Sequence, residues 1–189
     1  IIIFSIYGIL NISNDSSLFD DFRPGNNIYD SIKFVDKNLG GVFPLEIIIE
    51  TDRDKGLMDP ELLMKIEEFQ DSIKQIYTIG SAKSFTDILK LFNKEFNDIY
   101  SIPNSYDDII SYTSLDENAF STFILSNHKK GRITCRAIAG KTSDAHYTKE
   151  VVSQLASQIL PYDCKVAVSG SIIVMLKSNK YMVKNLMTS

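Results

Sequence analysis

Tryptophan is missing from this 189-residue chain, and cysteine and histidine occur only twice each. That is too few ligands for a disulfide-rich scaffold or a Cys/His zinc site. No apolar run approaches the roughly 20 residues of a membrane-spanning helix. The N-terminus lacks the basic start and small-residue cleavage site of a signal peptide. An excess of positive charge is also lacking. The net charge is -4 and the isoelectric point about 5.2, which removes the electrostatic footing for a nucleic-acid partner. What is present is ordinary for a globular protein, 44% hydrophobic and 23% charged residues in 21.3 kDa, enough for one domain or two small ones.

The ends are unusual. The stretch Ile1 to Leu10 is apolar over about half a membrane span and stops at the polar residues Asn11 to Ser17. It reads as a buried edge strand or as the end of a truncated transmembrane helix over 1–12. Residues 171–189 have helical character, with Ile172, Ile173, Leu176 and Met182, and no closing cap. The body between them, 13–170, is expected to be the folded domain.

Within that body, Asn26 and Asn27 can cap a helix with Ile28, Ile32, Val35 and Leu39 on one face and Gly40 to end it. Leu45 to Glu50 is a β-branched strand bounded by turn residues. Asp59-Pro60 starts a helix whose stripe is Leu62, Ile66, Phe69 and Ile73. Ile76 to Ile79 reads as a short strand closed by Gly80. A helical insertion over about 84–113 follows, opened by a capping-box-like Ser84-Phe-Thr-Asp87 with Ile88, Leu91, Phe92 and Phe96 behind it. Pro103 breaks it, and Ser105 restarts a short helix. Phe120 to Ser126 and Arg132 to Ala139 read as strands joined by a hairpin loop, with Gly131 available for a left-handed position. A helix over about 147–160 and a strand over Cys164 to Ser169, closed by Gly170, complete the order.

Without the insertion this is strand, helix, strand, strand, helix, strand: an α+β, ferredoxin-like split βαβ sandwich with helices on one face of a four-stranded antiparallel sheet. Alternation along the strands turns Leu45, Ile47, Ile49, Ile133, Cys135, Ala137, Val166 and Val168 toward the helices. Glu46 and Glu50 then share the other face with Arg132, Arg136 and Lys165, acidic residues on a central strand with basic neighbours. Cys135 and Cys164 fall on strands separated by the central one, about 9–10 Å apart at two strand spacings. A disulfide needs Cα atoms within about 7 Å, so both thiols are expected to be free, the alternative being a disulfide in a sheet of different strand order.

Three motifs tempt and fail. Ala139-Gly-Lys-Thr-Ser143 lies where a phosphate loop would, but the first glycine of that motif falls on Cys135. Asp52 and Asp54 have the first spacing of a calcium loop without its later ligands. Asp144, His146 and His128 come with no nucleophile elbow. No enzyme activity, metal or cofactor is expected. The apolar residues of the insertion, Phe85, Leu89, Phe92, Phe96, Ile109 and Tyr112, fit either core or a surface that contacts a hydrophobic substrate or partner.

Phe34-Val-Asp-Lys-Asn-Leu-Gly-Gly41, followed by Pro44-Leu-Glu-Ile-Ile-Ile-Glu50, resembles the periplasmic loop of exporters in the RND superfamily, in the hydrophobe/amphiphile and MmpL-like branch. Asp59-Pro60-Glu61, Ser84-Phe-Thr-Asp87-Ile-Leu before Asn93, and Val168-Ser-Gly170 before a helix agree in order and spacing. The resemblance covers nearly the whole chain, as the segment between the first and second transmembrane helices. It implies an extracytoplasmic porter domain that passes lipids or other hydrophobic molecules without chemistry of its own. Its implied partners are the remaining transmembrane and second periplasmic portions of the same transporter, with homo-oligomers possible in the family. Ion coupling would reside in transmembrane acidic residues outside this chain.

Overall fold

A computed structural model describes residues 25–125, 127–138, 140–174, 177–178 and 181. The expectations for Ile1 to Leu10, for Leu176 and for Met182 lie outside the described residues.

Helix α1, Asn27–Asn38, is capped by the Asn26 side chain, which accepts from the Ile28 amide at 3.0 Å. It closes as a Schellman turn: Gly40 takes φ +73°, and the Gly41 amide donates to the Asp36 carbonyl. None of its residues is fully buried. Strand β1, Phe43–Thr51, follows, with Leu45, Ile47 and Ile49 buried at alternate positions. After a 3-10 turn at Gly56–Met58, helix α2, Pro60–Lys74, starts with Pro at its first turn and Asp59 as cap. Its expected stripe, Leu62, Ile66, Phe69 and Ile73, is wholly buried.

Strand β2 is Ile79–Lys83, later than the expected 76–79. The amides of Ile76 and Ile79 donate to the carbonyls of Ile73 and Ile76, so that stretch is the turn that closes α2. Gly80 does not end the strand. It sits at a register shift inside it. Helices α3 (Phe85–Asn97), α4 (Tyr106–Leu115) and α5 (Glu117–Ser121) form the excursion. It runs past the expected 113, because Phe120 lies at the end of a helix. Of the expected strand 120–126, the described residues hold a single bridge, Ile124 to Gly131, and residue 126 lies outside the described residues. Strand β3 is Lys130–Ala137, helix α6 is Thr142–Ile159 and strand β4 is Cys164–Gly170. Helix α6 begins five residues before the expected 147, since the Asp144 carboxylate takes the Lys141 amide at 2.9 Å and caps the first turn.

The sheet order is β2-β3-β1-β4 and every pairing is antiparallel. This is the ferredoxin-like split βαβ arrangement. Helices α2 and α6 pack beside each other on one face, joined at a buried contact of 2.6 Å between the Thr148 and Thr78 hydroxyls, Thr78 lying in the turn before β2. Cys135 stands opposite Leu45 and Cys164 opposite Thr51. The two thiols therefore sit near opposite ends of β1, separated by about 20 Å along the strand as well as by two strand spacings.

The hairpin loop differs from expectation in a telling way. His128 takes the left-handed conformation, φ +53°, while Gly131 lies inside β3. A Cβ at Gly131 would stand 2.8 Å from Leu57 Cδ1 and 3.2 Å from Phe85 Cε1. Glycine is there to admit those two core side chains. On the same side of β3, β2 pairs with residues 134–137. Residues 123–125 then take over, with the Arg132 amide donating to Phe123 O and the Leu125 amide to Lys130 O.

Candidate functional site

Two surfaces carry side chains that could meet a ligand: the outer end of the helical excursion and the open face of the sheet.

The excursion is fastened by polar groups that sequence periodicity does not reveal. Ser84 caps α3 in a full capping box with Asp87. Buried Gln70 of α2 receives the Ser84 hydroxyl at 2.5 Å and the Thr86 hydroxyl at 3.1 Å, and donates to Asp87 at 2.8 Å. Lys90 pairs with Glu67 at 2.7 Å. Burial pulls the Lys90 pKa down, but hydrogen bonding and charge from Glu67, with Asp87 nearby, outweigh it and leave the pKa raised. Asn93 donates to the Ser101 carbonyl at 2.8 Å. The buried face of α3 is therefore Phe85, Thr86, Leu89, Lys90 and Asn93, rotated from the expected face of Ile88, Leu91, Phe92 and Phe96.

The six candidate residues divide accordingly. Phe85, Leu89 and Ile109 are completely buried and Tyr112 nearly so, all in the core shared with the sheet. Phe92 is half-buried, and Phe96 is 57% exposed. The rings form a stack that climbs from core to surface. Phe120 lies 6.1 Å from Phe92, Phe92 lies 5.9 Å from Tyr112, and Phe96 lies 5.4 Å from Tyr112 and 6.3 Å from Phe92. The Tyr112 hydroxyl accepts from Asn97 Nδ2 at 2.9 Å. Leu91, Ile99 and Tyr100 are also exposed on this part of the excursion. This end can contact an apolar body.

The open sheet face bears Lys83, Lys130, Arg132, Arg136 and Lys165 against Glu46 and Glu50, five cations to two carboxylates on a chain of net charge -4. Glu50 is in register with Lys130 and Lys165. Lys130, expected in the hairpin loop, makes the bond at 2.8 Å and holds the Glu50 carboxyl below its usual range. Lys165 instead lies 3.9 Å from Asp52. Glu46 accepts from the Thr134 hydroxyl at 3.1 Å and stands 3.8 Å from Arg132 Nε. Arg136 faces Pro44 and Ser81, with no carboxylate opposite it.

The rejected motifs are accounted for by their surroundings. Asp144 caps α6 and accepts from the Tyr77 hydroxyl at 2.7 Å, while His146 points to solvent. A Cβ at Gly140 would meet the Asp144 carboxylate, so that turn is closed around a side chain. The Asp52 carbonyl and the Arg53 carbonyl both accept from Lys129. Among the described residues no group of three His, Cys, Asp or Glu side chains is placed to hold a metal ion, and no helix is long and apolar enough to cross a membrane. The chain matches no known family model and no curated protein sequence.

Proposed function

We propose that this chain is the extracytoplasmic porter domain of an RND-type exporter of lipids or other hydrophobic or amphiphilic molecules, and that it guides such molecules without chemically changing them. The observation that carries the reading is the register of the outer strand: Leu45, near the start of β1, pairs with Gly170, the last residue of β4. The polypeptide enters and leaves the sheet side by side. A loop held between two membrane helices has that requirement. The path into the sheet is α1, whose Ile28 and Leu39 are exposed on one face, and the path out is helical over 171–174. The motif series around Gly40-Gly41, Asp59-Pro60 and Ser84 supports the same reading, as does the exposed aromatic end of the excursion.

The runner-up reading is a stand-alone ferredoxin-like regulatory module that binds a small ligand. It draws on the wet open face and on β4 as an edge strand.

The separating experiment uses the intact gene. Glu150, exposed on α6, is replaced by cysteine (Glu150→Cys) and intact cells are treated with a membrane-impermeant maleimide. The porter reading expects the protein in the membrane fraction and labelled from outside. Recovery in the cytosol, with labelling only after lysis, would overturn it.

A further inference from the structure

Where residues 121–125 lie along β3 there is a cleft of about 350 Å³, within the size range of small-ligand sites. Its apolar wall is Ile48, Phe123 and Leu125, and its cations are Lys130 and Arg132. The cations differ in availability. Lys130 is engaged by Glu50 at 2.8 Å. Arg132 donates from Nε to the Thr122 carbonyl at 2.7 Å, which orients its guanidinium. The Glu46 carboxylate, at 3.8 Å, lies beyond hydrogen-bond distance from Arg132 and takes the Thr134 hydroxyl instead. The two terminal nitrogens of Arg132 thus donate to nothing among the described residues. They form a planar fork at the edge of an apolar wall, in the middle of a face with a surplus of positive charge.

A planar fork suits a carboxylate bound through two parallel hydrogen bonds. An apolar wall beside it suits methylene groups. Fully polar anions would leave Ile48, Phe123 and Leu125 unused, and neutral amphiphiles would leave Arg132 unused. We infer that this cleft binds a single-chain amphiphile with a carboxylate head, the head on Arg132 and the first part of the tail against Ile48, Phe123 and Leu125. The site stands on its own geometry and does not depend on the porter reading. Carboxylate binding by a chain found in the cytosol would keep the cleft and remove the exporter.

The test is calorimetric titration of the full chain with decanoate below its micellar concentration, with decyl maltoside as a neutral probe of equal tail length. Decanoate is expected to bind saturably at one site, with Arg132→Gln weakening it about tenfold or more and decyl maltoside binding at least about tenfold more weakly. Thermal melting of Arg132→Gln checks its fold. Should that variant not fold, the wild-type protein still decides, because Arg132 and Ile48 must give the first nuclear magnetic resonance signals to move on titration. Unchanged decanoate affinity in the variant, equal affinity for decyl maltoside, or signals moving elsewhere would overturn the inference. So would equal affinity for a glutamate-rich peptide without apolar residues, which would make the face a protein contact.

Discussion

Gly40 and Gly80 pack backbone against backbone. A Cβ at Gly40 would stand 2.9 Å from the Gly80 carbonyl oxygen, and a Cβ at Gly80 would overlap the Gly40 carbonyl. The end of α1 is thereby seated on the start of β2. Gly80→Ala should destabilise the fold by about 2 kcal/mol, as overpacking against rigid backbone does. Thermal or urea unfolding measures it, and a melting point equal to wild type would show that the turn after α1 and strand β2 can separate freely.

The aromatic stack should divide along its burial. Phe92, half-buried against three rings, should cost about 2 kcal/mol when cut to alanine. Phe96→Ala should cost under about 1 kcal/mol, because most of its ring already faces water. A solvatochromic hydrophobic dye tests the surface role. Loss of dye binding in Phe96→Ala with the melting point kept would make this end a contact surface, and unchanged dye binding would make it inert.

Arg53 joins three segments of the chain. It donates from Nε to Asp163 at 2.6 Å and from Nη1 to Asp59 at 2.9 Å, tying the loop after β1 to the cap of α2 and the turn before β4. Its hydrogen bond and charge hold the Asp163 carboxyl below the usual carboxylate range. A depressed carboxyl stabilises the fold above its unfolded pKa, and that contribution fades as pH falls through the folded value. Arg53→Gln should therefore melt below wild type at about pH 7, with the gap narrowing toward about pH 3. A gap constant across that window would mean Arg53 acts by packing alone.

The thiols should react unequally. Burial pushes the Cys135 thiol up to about 12, and burial with nearby Asp163 raises the half-buried Cys164. At about pH 8 roughly one Cys135 in ten thousand is thiolate. Ellman's reagent should therefore modify Cys164 slowly in the native protein and Cys135 only as fast as the chain unfolds. Rapid modification of both would place Cys135 outside the core.

The strand and helix patterns were legible wherever burial follows apolar residues. The α2 stripe lies where helical spacing puts it, and the inner faces of β1 and β3 lie where alternation does. Misreadings arose where a polar side chain is buried because a distant partner satisfies it. Thr86, Lys90 and Asn93 point inward on α3 only because Gln70, Glu67 and the Ser101 carbonyl await them. A different cause operated at Gly80 and Gly131, where glycine admits neighbouring groups inside a strand and resembles a terminator when read alone. The Thr-Ser-Asp start of α6 was a signal in plain view at 142–144. The cleft at Arg132 was not, since its wall and its cation meet only once residues 123–125 lie along β3.

That last arrangement has a mechanical consequence. The helical excursion departs from one side of β3 through β2 and returns to the same side through residues 123–125, so both ends of a roughly forty-residue detour are stitched to one strand. A push on α3 to α5 therefore reaches both halves of β3, through the pairing with β2 at one end and through the two backbone hydrogen bonds of residues 123–125 at the other.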